Sequence, residues 1–259
     1  MHSTRTGSGR PLLLVHGLGS DHDSWSPVLA GLAAHRAVVA IDLPGHGATP
    51  PLVEGNTIPA FADALEQFIA EEGLEGVDMV GSSVGARLVL ELARRGAGGA
   101  VVALDPGGFW TPTEAAYLKV TLGASVRLLR ALRSQLDALA GNPVARTLLL
   151  AQLSPRPWAV DAAVAAHEMH SFADTAVFEE GLDDLVHGPT QEGIPAGQRA
   201  EPIGIVWGRR DRVTLPRQAP RALEQFPDAR LAWLARCGHF PHWDRPRTTV
   251  ELVLDLVGP

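Results

Sequence analysis

Six short, largely apolar runs, five of them followed directly by glycine, histidine or aspartate, constrain this 259-residue chain more than any other feature. Residues 12–15 lead into His16-Gly17, residues 37–41 into Asp42, residues 77–80 into Gly81, and residues 100–104 into Asp105. Much later, residues 203–207 lead into Gly208, and residues 231–234 are followed by Cys237-Gly238-His239. Runs that are apolar at successive positions suit strands covered on both faces, as in a parallel sheet. Helical spacing fills the gaps: Phe61, Leu65, Phe68 and Ile69 share one face, as do Leu88 and Leu92 ahead of Gly96. This alternation predicts an α/β protein built on a doubly wound, mostly parallel sheet.

The alternation breaks between about residues 110 and 200. Leu118, Leu122, Val126, Leu129 and Leu132 form an apolar helical stripe, and further helical stretches run over 160–172 and 178–185. Residues 188–200, rich in Gly, Pro and Gln, read as a linker. Helical patterns return at 219–226 and 249–256. The expected organisation is a core of residues 1–109 and 201–259, interrupted by a mostly helical insert at 110–200. No internal repeat or low-complexity tract is present.

The net charge of −7 and the single lysine, Lys119, argue against nucleic acid and anionic lipid as partners. One cysteine, Cys237, excludes an internal disulfide and a cysteine-based zinc site. No apolar run reaches the roughly 18 residues of a membrane span, and the N-terminal apolar stretch is too short for a secretory signal. The expectation is a cytoplasmic monomer or homodimer acting on a small molecule.

Ligands of open α/β sheets bind beyond the carboxyl ends of the strands. The most informative sequence there is Gly81-Ser82-Ser83-Val84-Gly85, a G-x-S-x-G between a strand and a helix. Glycines two before and two after Ser83 leave room for a sharp turn that exposes its hydroxyl, and the helix N-terminus aims backbone N–H groups at any anion formed there. Ser82 lacks glycines at both distances. A serine needs a base, and His239, in the turn Gly238-His239-Phe240-Pro241, is the best placed of ten histidines, ahead of His16, His46 and His242. An imidazole needs a carboxylate to fix its tautomer. Asp211, in Trp207-Gly208-Arg209-Arg210-Asp211, leads, with Asp105 and Asp42 as rivals.

Taken together, these segments resemble the α/β-hydrolase superfamily, in the serine hydrolase subset that carries a helical cap. His16-Gly17 is similar to the family's HG turn, residues 42–47 to its D-x-P-G-H-G loop, residues 81–85 to its nucleophile elbow, residues 207–211 to its acid turn, and Gly238-His239 to its base turn. Ser83, Asp211 and His239 follow the family's order, and the separation of 128 between the first two leaves room for a cap. The resemblance implies a catalytic triad of these three residues and an oxyanion hole from the backbone N–H groups of Leu18 and Val84. It implies structural roles for Asp42 and His46. The segment ahead of the first clear strand is shorter than the family's leading hairpin.

The related dehalogenases and epoxide hydrolases carry aspartate at the elbow, so Ser83 points to acyl transfer to water without a cofactor. Phe109, Trp110, Leu153, Met169, Phe172, Val213 and Phe240 are the expected pocket residues, and they suit a small or medium apolar substrate. His167, Glu168 and His170 lack the HExxH spacing, and no metal is expected. The leading expectation is a carboxylic ester hydrolase. Thioesterase, lactonase, carbon–carbon bond hydrolase and cofactor-free perhydrolase chemistry on the same triad are alternatives, as is a non-catalytic ligand-binding protein.

Overall fold

The computed structural model describes residues 1–258. The first half runs β1 (Ser3–Thr6), β2 (Pro11–Val15), α1 (Ser26–Ala33), β3 (Ala37–Ile41), α2 (Ile58–Glu71), β4 (Asp78–Ser82), α3 (Val84–Arg94) and β5 (Val101–Leu104). Five helices follow without an intervening strand: α4 (Pro112–Ala131), α5 (Leu136–Gly141), α6 (Pro143–Leu150), α7 (Ala162–Asp174) and α8 (Phe178–His187). The chain then completes β6 (Ile203–Gly208), α9 (Ala219–Gln225), β7 (Arg230–Leu234), α10 (Pro241–Asp244) and α11 (Pro246–Val257).

The strands form one seven-stranded sheet in the order β1-β3-β2-β4-β5-β6-β7. Only the β1–β3 pair is antiparallel. The two-residue period of a strand divides the core. On β2, Leu12 and Leu14 face a layer with Trp25, Val28 and Leu32 at α1 and Val253 and Val257 of α11. Leu13 and Val15 face the opposite layer, with Phe61 and Leu65 of α2, Leu88 and Leu92 of α3, and Ala219 and Ala222 of α9. The sheet is therefore buried on both faces, as its uninterrupted apolar runs require. β1, read from sequence only as a short leader, is a polar edge strand paired through Ser3 to Thr6 with β3.

The two ends of the strands are built differently. At the amino ends, fully buried Arg36 and Asp78 pair at 2.6 Å. Arg36 also donates to the carbonyls of Arg10, Pro11, Val257 and Gly258, and Asp78 accepts from the Ala100 N–H. These buried groups tie the strand starts to one another and to the end of α11. At the carboxyl ends, polar groups face a pocket instead.

Candidate active site

Three turns at the carboxyl ends of β4, β5 and β6 and the loop after β7 bring the polar residues together. Ser83 sits between β4 and α3 with φ 56° and ψ −112°. Only two other non-glycine residues among those described have positive φ, Asp105 and Arg236. All three lie just beyond the carboxyl ends of parallel strands, after β4, β5 and β7, and backbone strain of about 1–3 kcal/mol each gathers at functional ends of this kind. Glycine makes the turn possible. A Cβ on Gly81 would lie 2.2 Å from the Gly85 carbonyl oxygen, and one on Gly85 would lie 2.1 Å from that of Val15. The Ser83 backbone is pinned by its N–H to Leu104 O (2.9 Å) and by the Arg87 N–H to its own carbonyl (3.1 Å).

His239 is buried, and its Nδ1 lies 2.8 Å from Asp211 Oδ2. Its backbone N–H donates to Leu153 O at 2.8 Å, which fixes the loop against the segment after α6. Asp211 is held by the Val213 N–H at 2.7 Å and by the Thr214 hydroxyl at 2.6 Å. With Nδ1–H donated to Asp211, the imidazole keeps its Nε2 lone pair free. Ser83 and His239 both line one pocket, together with Gly17, Leu18, Val84, Gly107, Thr214 and apolar side chains. Among the described residues the Ser83 hydroxyl hydrogen-bonds to nothing, and neither does the backbone N–H of Leu18 or of Val84.

The other histidines singled out above are occupied elsewhere. His16 lies between the Gly17 carbonyl (2.7 Å) and the Leu43 N–H (2.9 Å). His46 binds the Pro44 carbonyl, and burial drops its pKa to about 3. His242 packs on Trp25 and Phe240, and burial likewise lowers it to about 3. Asp42 accepts from the backbone N–H groups of His22 and Ala48, so it ties loops together rather than facing the pocket. Cys237 is buried, and the absence of water around its thiol pushes its pKa far up. His167 and His170 pair with Asp21 and Asp137, at 2.7 and 2.9 Å, while Glu168 turns inward to the Ser20 hydroxyl. The three point to different partners.

Of the seven pocket residues expected from sequence, Trp110, Leu153, Phe172, Val213 and Phe240 are on the wall. Phe109 and Met169 are not: Phe109 packs edge-on against Phe226, and Met169 is fully buried on α7. Leu118 and Leu122 of α4, Leu185 of α8, and Thr214 complete the wall without having been singled out for it. No Lys, Arg, Asp or Glu lines this pocket among the described residues. The free space inside is ≈ 20 Å³, room for about one water.

Buried Glu168 gives a pH-dependent stability. Burial raises its pKa to about 8, the Asp21 charge adds to this, and one carboxyl oxygen has no partner. Its folded value lies above the ordinary 4.5, so the folded chain holds this proton more tightly than the unfolded chain. That stabilisation is complete below the ordinary carboxyl range and is lost as pH rises through about 8. Glu168→Gln keeps the shape and removes the titration. Between pH 6 and 9 its Tm is expected to fall by roughly 5 °C less than that of wild type. Parallel curves from scanning calorimetry would contradict this.

A family model described as "Alpha/beta hydrolase family" matches residues 12–252. Over 262 aligned residues the chain is 30% identical to a dihydrolipoyllysine-residue acetyltransferase component of an acetoin cleaving system from Cupriavidus necator. That alignment takes in 94% of this chain but only 62% of the relative, so the chain spans under two thirds of that protein's length. Among solved structures it is similar to an enol-lactonase from Burkholderia xenovorans LB400, with a TM-score of 0.75 and 18% identity over 100% of this chain and 96% of that one. It is also similar to a thermophilic esterase from Thermogutta terrifontis, with a TM-score of 0.73 and 19% identity over 98% of this chain and 91% of that one. At such identities the likeness is one of fold.

Proposed function

Because the chain belongs to the alpha/beta hydrolase family, we propose that it is a serine hydrolase cleaving carboxylic esters of small apolar acids through an acyl-enzyme. One observation carries this reading: Ser83 and the Asp211-paired His239 line a pocket whose remaining side chains are almost all apolar.

In the proposed reaction Ser83 Oγ attacks the ester carbonyl while His239 Nε2 takes its proton. The carbonyl oxygen becomes an oxyanion that accepts from the Leu18 and Val84 N–H groups, each worth about 3 kcal/mol in the transition state. The tetrahedral intermediate collapses, the C–O bond breaks, and the imidazolium hands the proton to the departing alcohol. Water then attacks the acyl-enzyme, giving its proton to the same nitrogen, and Ser83 leaves with that proton. Asp211 stabilises the imidazolium in both halves. No step calls for a metal or organic cofactor.

The helices between β5 and β6 act in this reading as a cap, since Trp110, Leu118, Leu122, Phe172 and Leu185 come from that segment or its edge. Apolar walls favour an uncharged acyl group, because a buried carboxylate without a cation is costly. The space, which holds about one water, must widen for any acyl group, and by less for a short chain than for a long one. For p-nitrophenyl esters, kcat/KM is expected to be highest for acetate to butyrate and about tenfold or more lower for octanoate. Hydrolysis confined to long chains would overturn the size argument. Hydrolysis of no ester, with Ser83 still chemically reactive, would favour thioester, lactone or carbon–carbon bond cleavage.

A further inference from the structure

The sequence sets Asp105 and Asp211 as rivals for one role, but the structure places both beside His239. Ligand-capable atoms of Asp105, Asp211 and His239 all lie within 4.8 Å of one another, and all three residues are buried. We propose that Asp105 is a positioning residue whose carboxyl keeps its proton and donates it to the Asp211 carboxylate, so that the pair presents a single negative charge to His239. This rests on the proposed pairing of Asp211 and His239 with Ser83.

Each carboxyl has a distinct set of partners. Asp211 Oδ1 accepts the Val213 N–H, and its Oδ2 accepts the Thr214 hydroxyl and lies against His239 Nδ1. These partners are all donors, as an ionised carboxylate requires. Asp105 has one donor, the Gly208 N–H at 2.8 Å on Oδ1. Its Oδ2 is buried and receives no N–H or O–H. A bare carboxylate oxygen buried in that way is expensive, whereas a protonated one can give its hydrogen to the neighbouring carboxylate.

The surroundings supply no charge that would change this. Asp105 makes no ion pair among the described residues. The Cys237 thiol is held protonated by burial and by the carboxyls around it. Asp244, the third nearby carboxyl, accepts from Ser154 Oγ at 2.6 Å and the Gly238 N–H at 2.7 Å. Burial, then the charge of Asp211, holds Asp105 well above the ordinary carboxyl range. Two like charges at such a separation cannot both ionise in a dry site.

Asp105 also has φ +46°, a conformation that aspartate and asparagine tolerate and that glycine adopts freely. This supplies two clean variants. Asp105→Asn keeps an acceptor for Gly208 and an N–H donor for Asp211. Asp105→Gly removes both without backbone strain. A donor lost from Asp211 strengthens its pull on the Nδ1–H, so the acid limb of kcat/KM should move to higher pH by about one unit in Asp105→Gly. It should stay in place in Asp105→Asn, with kcat within about threefold of wild type.

The readout independent of activity is infrared. The difference spectrum of wild type minus Asp105→Asn at neutral pH should contain the C=O stretch of a protonated carboxylic acid. The same band should persist in Ser83→Ala, which removes activity but not the dyad. A difference spectrum showing carboxylate bands instead, or an acid limb that moves equally in both variants, would overturn the proposal. If Asp105→Gly does not fold, the Asp105→Asn spectrum decides alone. Full turnover in Ser83→Ala would remove Ser83 as the nucleophile and leave the infrared result to stand by itself.

Discussion

Ser83→Ala is expected to lower kcat for short-chain esters by about 10⁴-fold or more while leaving the fold intact. The first half follows from the loss of the only attacking atom in the proposed reaction. The second follows from how the turn is held. Its hydrogen bonds run through the Ser83 N–H and carbonyl, to Leu104 and from Arg87, and the hydroxyl takes part in none among the described residues. Removing Oγ therefore costs the native state no contact of that kind. His239→Ala should approach the same rate, because an unassisted hydroxyl is a poor nucleophile. Asp211→Asn should fall steeply too, since an amide can present its own N–H to Nδ1 and select the wrong tautomer. Steady-state kinetics with circular dichroism on each variant would check both halves. Ordinary turnover in Ser83→Ala would remove the serine from the mechanism.

Gly85→Ala is expected to be among the most destabilising single substitutions in the chain, by about 4 kcal/mol and so roughly 10 °C in Tm. Its new methyl would stand 2.1 Å from the Val15 carbonyl oxygen and 2.4 Å from that of His16. Those are backbone atoms at the end of β2, so no side chain can rotate away. The strand end that must shift leads directly into Gly17 and Leu18. Activity should therefore drop further than the unfolded fraction explains. Gly141→Ala is the control, because a Cβ there meets nothing within 4 Å and φ is not positive. Calorimetry showing both variants within a degree of wild type would contradict the packing argument.

Legibility followed burial. β2 to β6 could be read from sequence because each is a mostly apolar run buried in the sheet, and edge strand β7 because Leu231, Ala232, Trp233 and Leu234 are apolar although only Leu234 is fully buried; their ends fell within a residue or two of the expected ones. β1 could not, because Ser-Thr-Arg-Thr at an exposed edge satisfies its backbone through β3 and needs no apolar face. α5 and α6 were also missed. They are short, and Asn142-Pro143 splits what would otherwise be one helix, with Asn142 capping the second.

At the candidate site, the turns that carry Ser83, Asp211 and His239 stand out in the sequence because their glycines have a steric reason. Thr214 carries no such mark. It is simply three residues past Asp211, close enough for its hydroxyl to reach back. The joint placement of Asp105 and Asp211 was invisible because it depends on β5 and β6 being neighbours, which only the sheet order reveals. Pocket residues were the least readable. Phe172 and Met169 are three apart on α7, yet one lines the pocket and the other is packed into the core. A helix pattern shows that both are buried but not against what.

The central claim is that the hydroxyl of residue 83 is the group activated by the imidazole of residue 239. Fluorophosphonate labelling of the native protein, followed by peptide mapping, tests it most directly. The expected result is one covalent adduct on the Ser83 peptide, absent from Ser83→Ala and formed far more slowly in His239→Ala. An adduct on Ser82 or another residue, or no adduct while esters are still being hydrolysed, would contradict it.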